Sequence, residues 1–403
     1  MSFFISHKKE TKCRSIRREL VHKTVTTPVF SALGTLLLTF SPSPEASMLD
    51  ELFDPKDGQL DASSYILNNA HGFMPVPFLI TEPAVGTGGG VALLFFHETH
   101  EQKTLRLDNP DKVSGIPPSV TGVVGGSTSN GSKLAGVFHS GNWKQDKIRY
   151  LGGLFGGSFN LKYYADTANI ANNFTIEGLY FLQDIDFRLG ESNFFLGANY
   201  VNMGSNSSFN FSDSMPDIDP IELDSKDASV ALKITYDSRD NHFSPRSGVK
   251  AGIKASFHDE RLGGDFDYHE YSAFVQSYSR IAPKWGLGIR GDIKSVSDQV
   301  PFYAKPFLDM RGIPAMRYQG DSTVLAEVEL SYDIDDRWAV LGFAGTGKAV
   351  DDDISFSDTD WQTSKGAGFR YLIARQLGLR TGIDIAKGPE EWTMYLQFGG
   401  SWK

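Results

Sequence analysis

The chain has almost no sulfur chemistry: Cys13 is the only cysteine among 403 residues. A single thiol excludes a disulfide framework, and Cys13 lies in a segment expected to be cleaved, which leaves no cysteine nucleophile. Long apolar runs are missing too. No stretch reaches the ~18 consecutive apolar residues that a membrane-crossing helix needs. Positive charge is scarce, with 39 Lys and Arg against 49 Asp and Glu and a formal net charge of −10. That balance argues against nucleic acid as a partner, because a phosphate backbone selects basic surfaces. None of these absences excludes a membrane barrel. Only alternate strand residues of a barrel meet lipid, so its average hydropathy stays near that of a soluble domain.

Two residue classes are abundant instead. The 41 glycines, with 29 Phe, 15 Tyr and 6 Trp, favour an all-β chain, where aromatics pack on pleated surfaces and glycines mark bulges and turns. Residues 1–46 read as an export signal. Lys8, Lys9, Lys12, Arg14, Arg17, Arg18 and Lys23 form a basic region ahead of the apolar core VFSALGTLLLTF at 29–40, which has the length of a signal core. Cleavage after Ala46 removes seven Lys/Arg and three Asp/Glu, taking the formal charge from −10 to −14. Residues 47–72 are polar and aperiodic, which predicts a short periplasmic lead-in ahead of a barrel at 73–403.

From there the chain alternates. Ala228, Val230, Leu232, Ile234 and Tyr236, then Val249, Ala251, Ile253, Ala255 and Phe257, put apolar residues at every second position. Period two makes one face of a strand greasy and the other wet. Strand-like runs are expected at 87–98, 119–130, 133–143, 148–164, 174–189, 193–203, 227–239 and 248–259. Further runs follow at 267–281, 285–297, 323–335, 338–349, 364–375, 379–387 and 392–402. Many exceed the ~5–6 residues of a soluble strand and suffice for the ~9–11 that cross a bilayer. Tight joins at 190–192, 282–284 and 335–337 alternate with long ones at 204–226, 298–322 and 350–363. Outer-membrane barrels show this asymmetry, with short periplasmic turns and long external loops.

A closed barrel with both ends in the periplasm needs an even strand count. Fifteen runs therefore leave one unassigned, and FMPVPFLI at 73–80 is the best sixteenth despite its two prolines. Dropping 87–98 instead gives fourteen. The last run places Trp392, Met394, Leu396, Phe398, Gly400 and Trp402 in one row, as expected for a lipid-facing row with aromatics at both interfaces. The fold expected is thus all-β, a transmembrane antiparallel up-and-down β-barrel.

The opposite rows carry ions. Glu327, Glu329 and Asp333 oppose one apolar row, Arg290, Asp292 and Lys294 a second, Asp184, Asp186 and Arg188 a third, and Arg370 and Asp384 fall in the terminal strands. Inward charges of both signs predict a hydrated lumen crossed by ion pairs. For any one of them a solvated wall is the simpler reading, and Glu327 with Glu329 fits an ion-pair cluster better than a hydrolase carboxylate pair. The long loop 298–322 contains Arg311-Gly312. It is either solvated or folded into the lumen with Arg311 on inward carboxylates, a task suited to a guanidinium fork, with Gly312 allowing a tight turn. Other patterns carry little. The glycines at 86 and 88–90 lack the Lys-Ser/Thr ending of a phosphate loop, His97-Glu98-Thr99-His100 lacks the helical spacing of zinc ligands, and no Gly-x-Ser-x-Gly elbow occurs. No metal, cofactor or catalytic residue is expected.

Tyr236-Asp237-Ser238-Arg239-Asp240-Asn241, followed by Phe243-Ser244-Pro245-Arg246-Ser247-Gly248, resembles a descending strand and turn of the bacterial surface-antigen family. That is the barrel of BamA/TamA-type outer-membrane assembly and translocation proteins. Arg311-Gly312, Gly366-Ala367-Gly368-Phe369-Arg370 and the stretch from Gly382 to Gly399 resemble other parts of it. The resemblance implies sixteen strands, a weak first-to-last seam and a loop tucked inside, with Arg311 on Glu327, Glu329 and Asp384 and with Arg370 nearby. Ile313 stands where an aromatic is usual, and Gly342-Phe343-Ala344 lacks an Asp often found beside that Phe. Residues 47–72 are too few for even one periplasmic POTRA domain. The partners implied are outer-membrane lipid and protein substrates. A passive pore, a structural barrel, a lipid-acting barrel enzyme and a soluble secreted β-protein are the rival readings.

Overall fold

A computed structural model of the protein describes residues 52–68, 73–97, 118–164, 171–210, 221–297 and 300–402. The expected signal segment 1–46 and His100 lie outside these residues. A short helix, α1 (Ser63–Asn68), precedes sixteen strands. The first four are β1 (Phe73–Ile80), β2 (Gly88–His97), β3 (Ser119–Thr128) and β4 (Lys133–Trp143). Four long strands follow, β5 (Ile148–Tyr164), β6 (Ala171–Arg188), β7 (Phe194–Asn210) and β8 (Ile221–Asp237). Next come β9 (Gly248–His258), β10 (Tyr268–Ala282), β11 (Trp285–Val296) and β12 (Ser322–Asp333). The last are β13 (Trp338–Val350), β14 (Gln362–Ala374), β15 (Leu379–Lys387) and β16 (Trp392–Phe398).

Every strand pairs antiparallel with its sequence neighbours in one sheet of order β1 to β16. The barrel is nearly closed, and the proline-bearing run is a genuine strand, β1, paired with β2 along its whole length. As the end strand of the sheet, β1 has one side with no ladder to complete, which is where proline is tolerated. The alternation sorts side chains as the sequence predicts: Leu232, Ile253 and Ile293 lie outside at 58%, 59% and 57% exposure, whereas Glu327 and Asp384 are buried inside. In a bilayer those outer rows are covered by acyl chains, the one solvent that stabilises them there.

Two expectations need correction. The connection expected at 204–226 is mostly strand, since β7 runs to Asn210 and β8 starts at Ile221. The end of β7, Gly204 to Asn210, is polar on both faces but for Phe209 and leaves no periodic trace, and the start of β8 alternates over Ile221 and Leu223 alone. Strands β5 to β8 are 17–18 residues long, more than the other strands. The inner face of β6 carries Phe174 and Ile176, which pack against Phe302, Phe307 and Met316 of the loop 298–322. The second correction concerns the end of the chain. β16 stops at Phe398, Gly399 takes a φ of +86°, and Gly400 donates its N–H to the Phe243 carbonyl at 2.5 Å. Trp402 therefore points into the lumen, 5.7 Å from the Tyr278 ring, and not out toward lipid. The glycine pair breaks the two-residue period, because only glycine adopts that φ without cost.

Residues 52–68 lie as a strap against the periplasmic turns. Arg337, at the turn between β12 and β13, is almost fully buried and meets Asp54, Asp57 and Asp61 at 2.7, 2.7 and 2.5 Å. Arg375 adds a second bond to Asp57 at 2.5 Å. Ile66 of α1 rests on Ala374 and Leu377.

Leu232→Arg is expected to cost about 2–4 kcal/mol, the penalty for a guanidinium near a bilayer midplane, read as a lower denaturant midpoint in vesicles. The strap should respond to acid. The Arg337 hydrogen bond holds the Asp57 carboxyl at about 2, against an ordinary 3.8. A lowered native pKa contributes stability above the unfolded value and loses it as pH falls through the native one. Protection of the Ala62 amide, bonded to the Ile373 carbonyl at 2.6 Å, should therefore hold at pH 5 and fade as pH nears 2, in hydrogen exchange corrected for intrinsic rates.

Candidate functional site: the loop arginine in the lumen

The loop 298–322 leaves β11, enters the barrel and returns to β12. Leu308, Met310 and Ile313 bury themselves against Leu325 of the wall, an apolar foothold that sets the depth of the loop. Ile313 thereby occupies a core position within the loop. Gly312 sits at φ +91°, and its N–H donates to the Tyr395 hydroxyl at 2.8 Å. A Cβ at this position would lie 2.9 Å from the Gly388 nitrogen, so the turn has room for glycine alone.

That turn delivers Arg311. Its Nη1 lies 2.9 Å from Glu329 Oε2 and 2.9 Å from Asp384 Oδ2, while its Nε stands 3.7 Å from Glu327 Oε1. The guanidinium carbon is 3.6 Å from the centre of the Phe343 ring. One nitrogen thus bridges two carboxylates from different strands, β12 and β15, and the flat cation stacks on an aromatic face. The bidentate fork belongs to Arg370, whose Nη1 and Nη2 hold the two oxygens of Asp384 at 2.5 and 2.9 Å. Arg370 meets Asp384 and the Ser401 hydroxyl, at 2.8 Å, and reaches the loop only through that shared carboxylate. Glu327 is shared in the same way, with Arg290 Nη1 2.9 Å from its Oε2. Arg290 also donates to the Asp309 carbonyl at 3.1 Å, tying the loop to β11.

The structure thus brings Arg311, Gly312, Glu327, Glu329, Asp384 and Arg370 into one buried layer. Phe343, Tyr395 and Arg290 belong to it as well. Phe343 was visible only as a residue lacking its usual Asp neighbour, and Tyr395 only as an inward position on β16; neither signal named a contact. Arg317 extends the anchoring outward, 2.9 Å from Glu390 in the β15–β16 connection. No group of three metal-ligating side chains occurs among the described residues.

Comparison with known proteins places this geometry. The Omp85 superfamily domain matches residues 126–386, and the chain belongs to that superfamily. BamA from Haemophilus ducreyi lacking POTRA domains 1–3 superposes with a TM-score of 0.52 at 14% identity, over 80% of this chain and 68% of that one. CdiB from Acinetobacter baumannii gives 0.55 at 10% identity, over 81% of this chain and 59% of that one. CdiB from Escherichia coli gives 0.53 at 10%, over 80% and 61%. The chain thus spans about three-fifths of either CdiB. No curated protein matches it. The protein is a BamA/TamA-type barrel of the outer membrane of a Gram-negative bacterium.

Arg311→Ala removes a buried cation shared by three carboxylates, a loss of about 3–5 kcal/mol for a broken buried pair. The expected outcome is an intact heat-modifiable barrel whose loop becomes protease-sensitive. Gly312→Ala should give the same loop phenotype with every charge retained; protease resistance equal to the parent in both variants would remove the docking role.

Proposed function

We propose that this barrel assists insertion or translocation of polypeptides at the outer membrane, and that its working surface is the seam between β1 and β16. The observation that carries the reading is the strand order itself, in which β1 and β16 are the two ends and no ladder between them is formed among the described residues. The seam is bridged by the Leu396 N–H, 3.2 Å from the Thr81 hydroxyl. Paired backbone is obligatory in hydrocarbon, so a seam this thin is the one part of the wall that opens without breaking a ladder. An unpaired strand edge is also a template for an incoming strand. The family resemblance supports the same class of activity, and the Arg311 layer then keeps the lumen filled while the wall opens.

A passive pore fits less well, because the loop 298–322 is packed across the lumen. The test uses purified protein in vesicles. Folding of an unfolded client barrel should accelerate several-fold, and a Thr81→Cys/Leu396→Cys disulfide across the seam should abolish the gain until reductant restores it. Steady ion conductance with no effect on client folding would establish the pore reading instead.

A further inference from the structure

The turn between β8 and β9, residues 238–247, is not an ordinary short hairpin. Five strand spacings separate β9 from β14, about 24 Å at ~4.8 Å each, so the turn cannot meet the far strands along the wall. It meets them across the opening. Asn241 Nδ2 donates to the Leu377 carbonyl at 3.0 Å, and the Arg380 N–H donates to the Ser244 hydroxyl at 3.0 Å. The Phe243 carbonyl accepts the Gly400 N–H at 2.5 Å. Arg246 holds both oxygens of Asp333 at the foot of β12, with Nη1 to Oδ1 at 2.9 Å. The Phe243 ring packs, with Ile66 of the strap and Leu379, on Ala374 and Leu377.

The turn is shaped for this place before it docks. Asn241 Oδ1 accepts the N–H groups of Phe243 and Ser244 at 2.7 and 2.9 Å, and Asp240 Oδ1 accepts that of Arg246 at 2.9 Å. Its near end is braced as well. Asp237 is held by Arg149 at 2.7 Å and by Arg239 at 2.8 Å, and Arg149 and Asp146 form a further pair at 2.7 Å. Above the turn lies a cavity of about 70 Å³, lined by Ser244, Arg246 and Ser331 below and by Glu329 and Arg370 of the loop-arginine layer above. Its size admits a few waters.

We propose that residues 238–247 form a plug seated in the periplasmic mouth, a second closure distinct from the loop that enters the lumen from outside. Polar bonds and one ion pair seat it, with Phe243 as its only large apolar contact, so the plug is built to be withdrawn. Because the Phe243 carbonyl holds Gly400, withdrawal also removes one of the contacts that seat the inward-turned segment with Ser401 and Trp402, next to the seam strand β16. The plug stands on its own contacts and does not depend on which polypeptide, if any, uses the seam.

The test reads access from the periplasmic side. In a Cys13→Ser background, Ser331→Cys places a thiol in the cavity beneath the Arg311 layer. A charged, membrane-impermeant thiol reagent should label it slowly in nanodiscs, and at least tenfold faster once Asn241→Ala and Arg246→Ala are added. Swapping the pair, Arg246→Asp with Asp333→Arg, should restore slow labelling. Heat-modifiable mobility checks that each variant is folded. A measurement without substitutions guards against variants that fail to fold: hydrogen exchange on the parent protein should find the Arg380 and Gly400 amides protected. Equal labelling in folded plugged and unplugged variants, or rapid exchange at both amides in the parent, would overturn the plug.

Discussion

Backbone N–H and C=O groups in hydrocarbon have no water to turn to, and the whole molecule follows from finding partners for them. Sixteen strands supply those partners to one another in antiparallel order from β1 to β16, with register shifts only near Arg280 in β10 and Leu372 in β14. Once the ladder curls on itself, its two faces meet different solvents, and the alternation of each strand is forced. Leu232 and Ile253 go out, and Lys233 and Lys254 go in. The ladder weakens at the join of β1 and β16. The end strand β1 carries Pro75 and Pro77, which have no N–H to donate, and the Thr81 hydroxyl spans the gap.

What goes inward must then be neutralised, because a lumen narrowed by protein is a poor solvent for ions. The interior solves this in layers. The outermost is apolar, where Phe302 and Phe307 of the loop meet the inner face of β6. Below it, Arg311, Arg370 and Arg290 share Asp384, Glu329 and Glu327 so that each buried carboxylate has a cation within 2.9 Å. Shared carboxylates fix the loop to strands at both ends of the barrel half, from β11 to β15. Lowest is the periplasmic layer, with Arg246 on Asp333 and Arg337 inside a ring of three aspartates. These three layers stack from the outer end of the loop 298–322 down to the short turns.

The inward turn of the chain after Phe398 connects these layers to the seam. Gly399 and Gly400 lay the last residues over the β8–β9 turn, and Ser401 reaches Arg370 at 2.8 Å. The strand that borders the seam is thereby anchored by the same carboxylate layer that anchors the loop. Loop, turn and seam strand share contacts, so displacement of one alters the support of the others.

The sequence by itself determined the strands, the side each residue faces and the acidic, cysteine-poor character that goes with export. Period two is a local property, written in adjacent residues such as Val324, Ala326 and Val328, and needs no knowledge of the rest of the chain. The resemblance to the surface-antigen family, and not the period, singled out Arg311, Gly312 and the carboxylates of β12 and β15 as a set worth joining. Local pattern failed where both faces of a strand are polar, as at the end of β7, and where a pair of glycines broke the period after β16. Only the tertiary structure decided that Phe343 stacks on Arg311, that Tyr395 receives Gly312, that Asp54, Asp57 and Asp61 converge on Arg337, and that the β8–β9 turn reaches β15. The reason is geometric: these partners are brought together by closing a curved sheet, and a distance across a barrel leaves no trace in the spacing of residues along its wall.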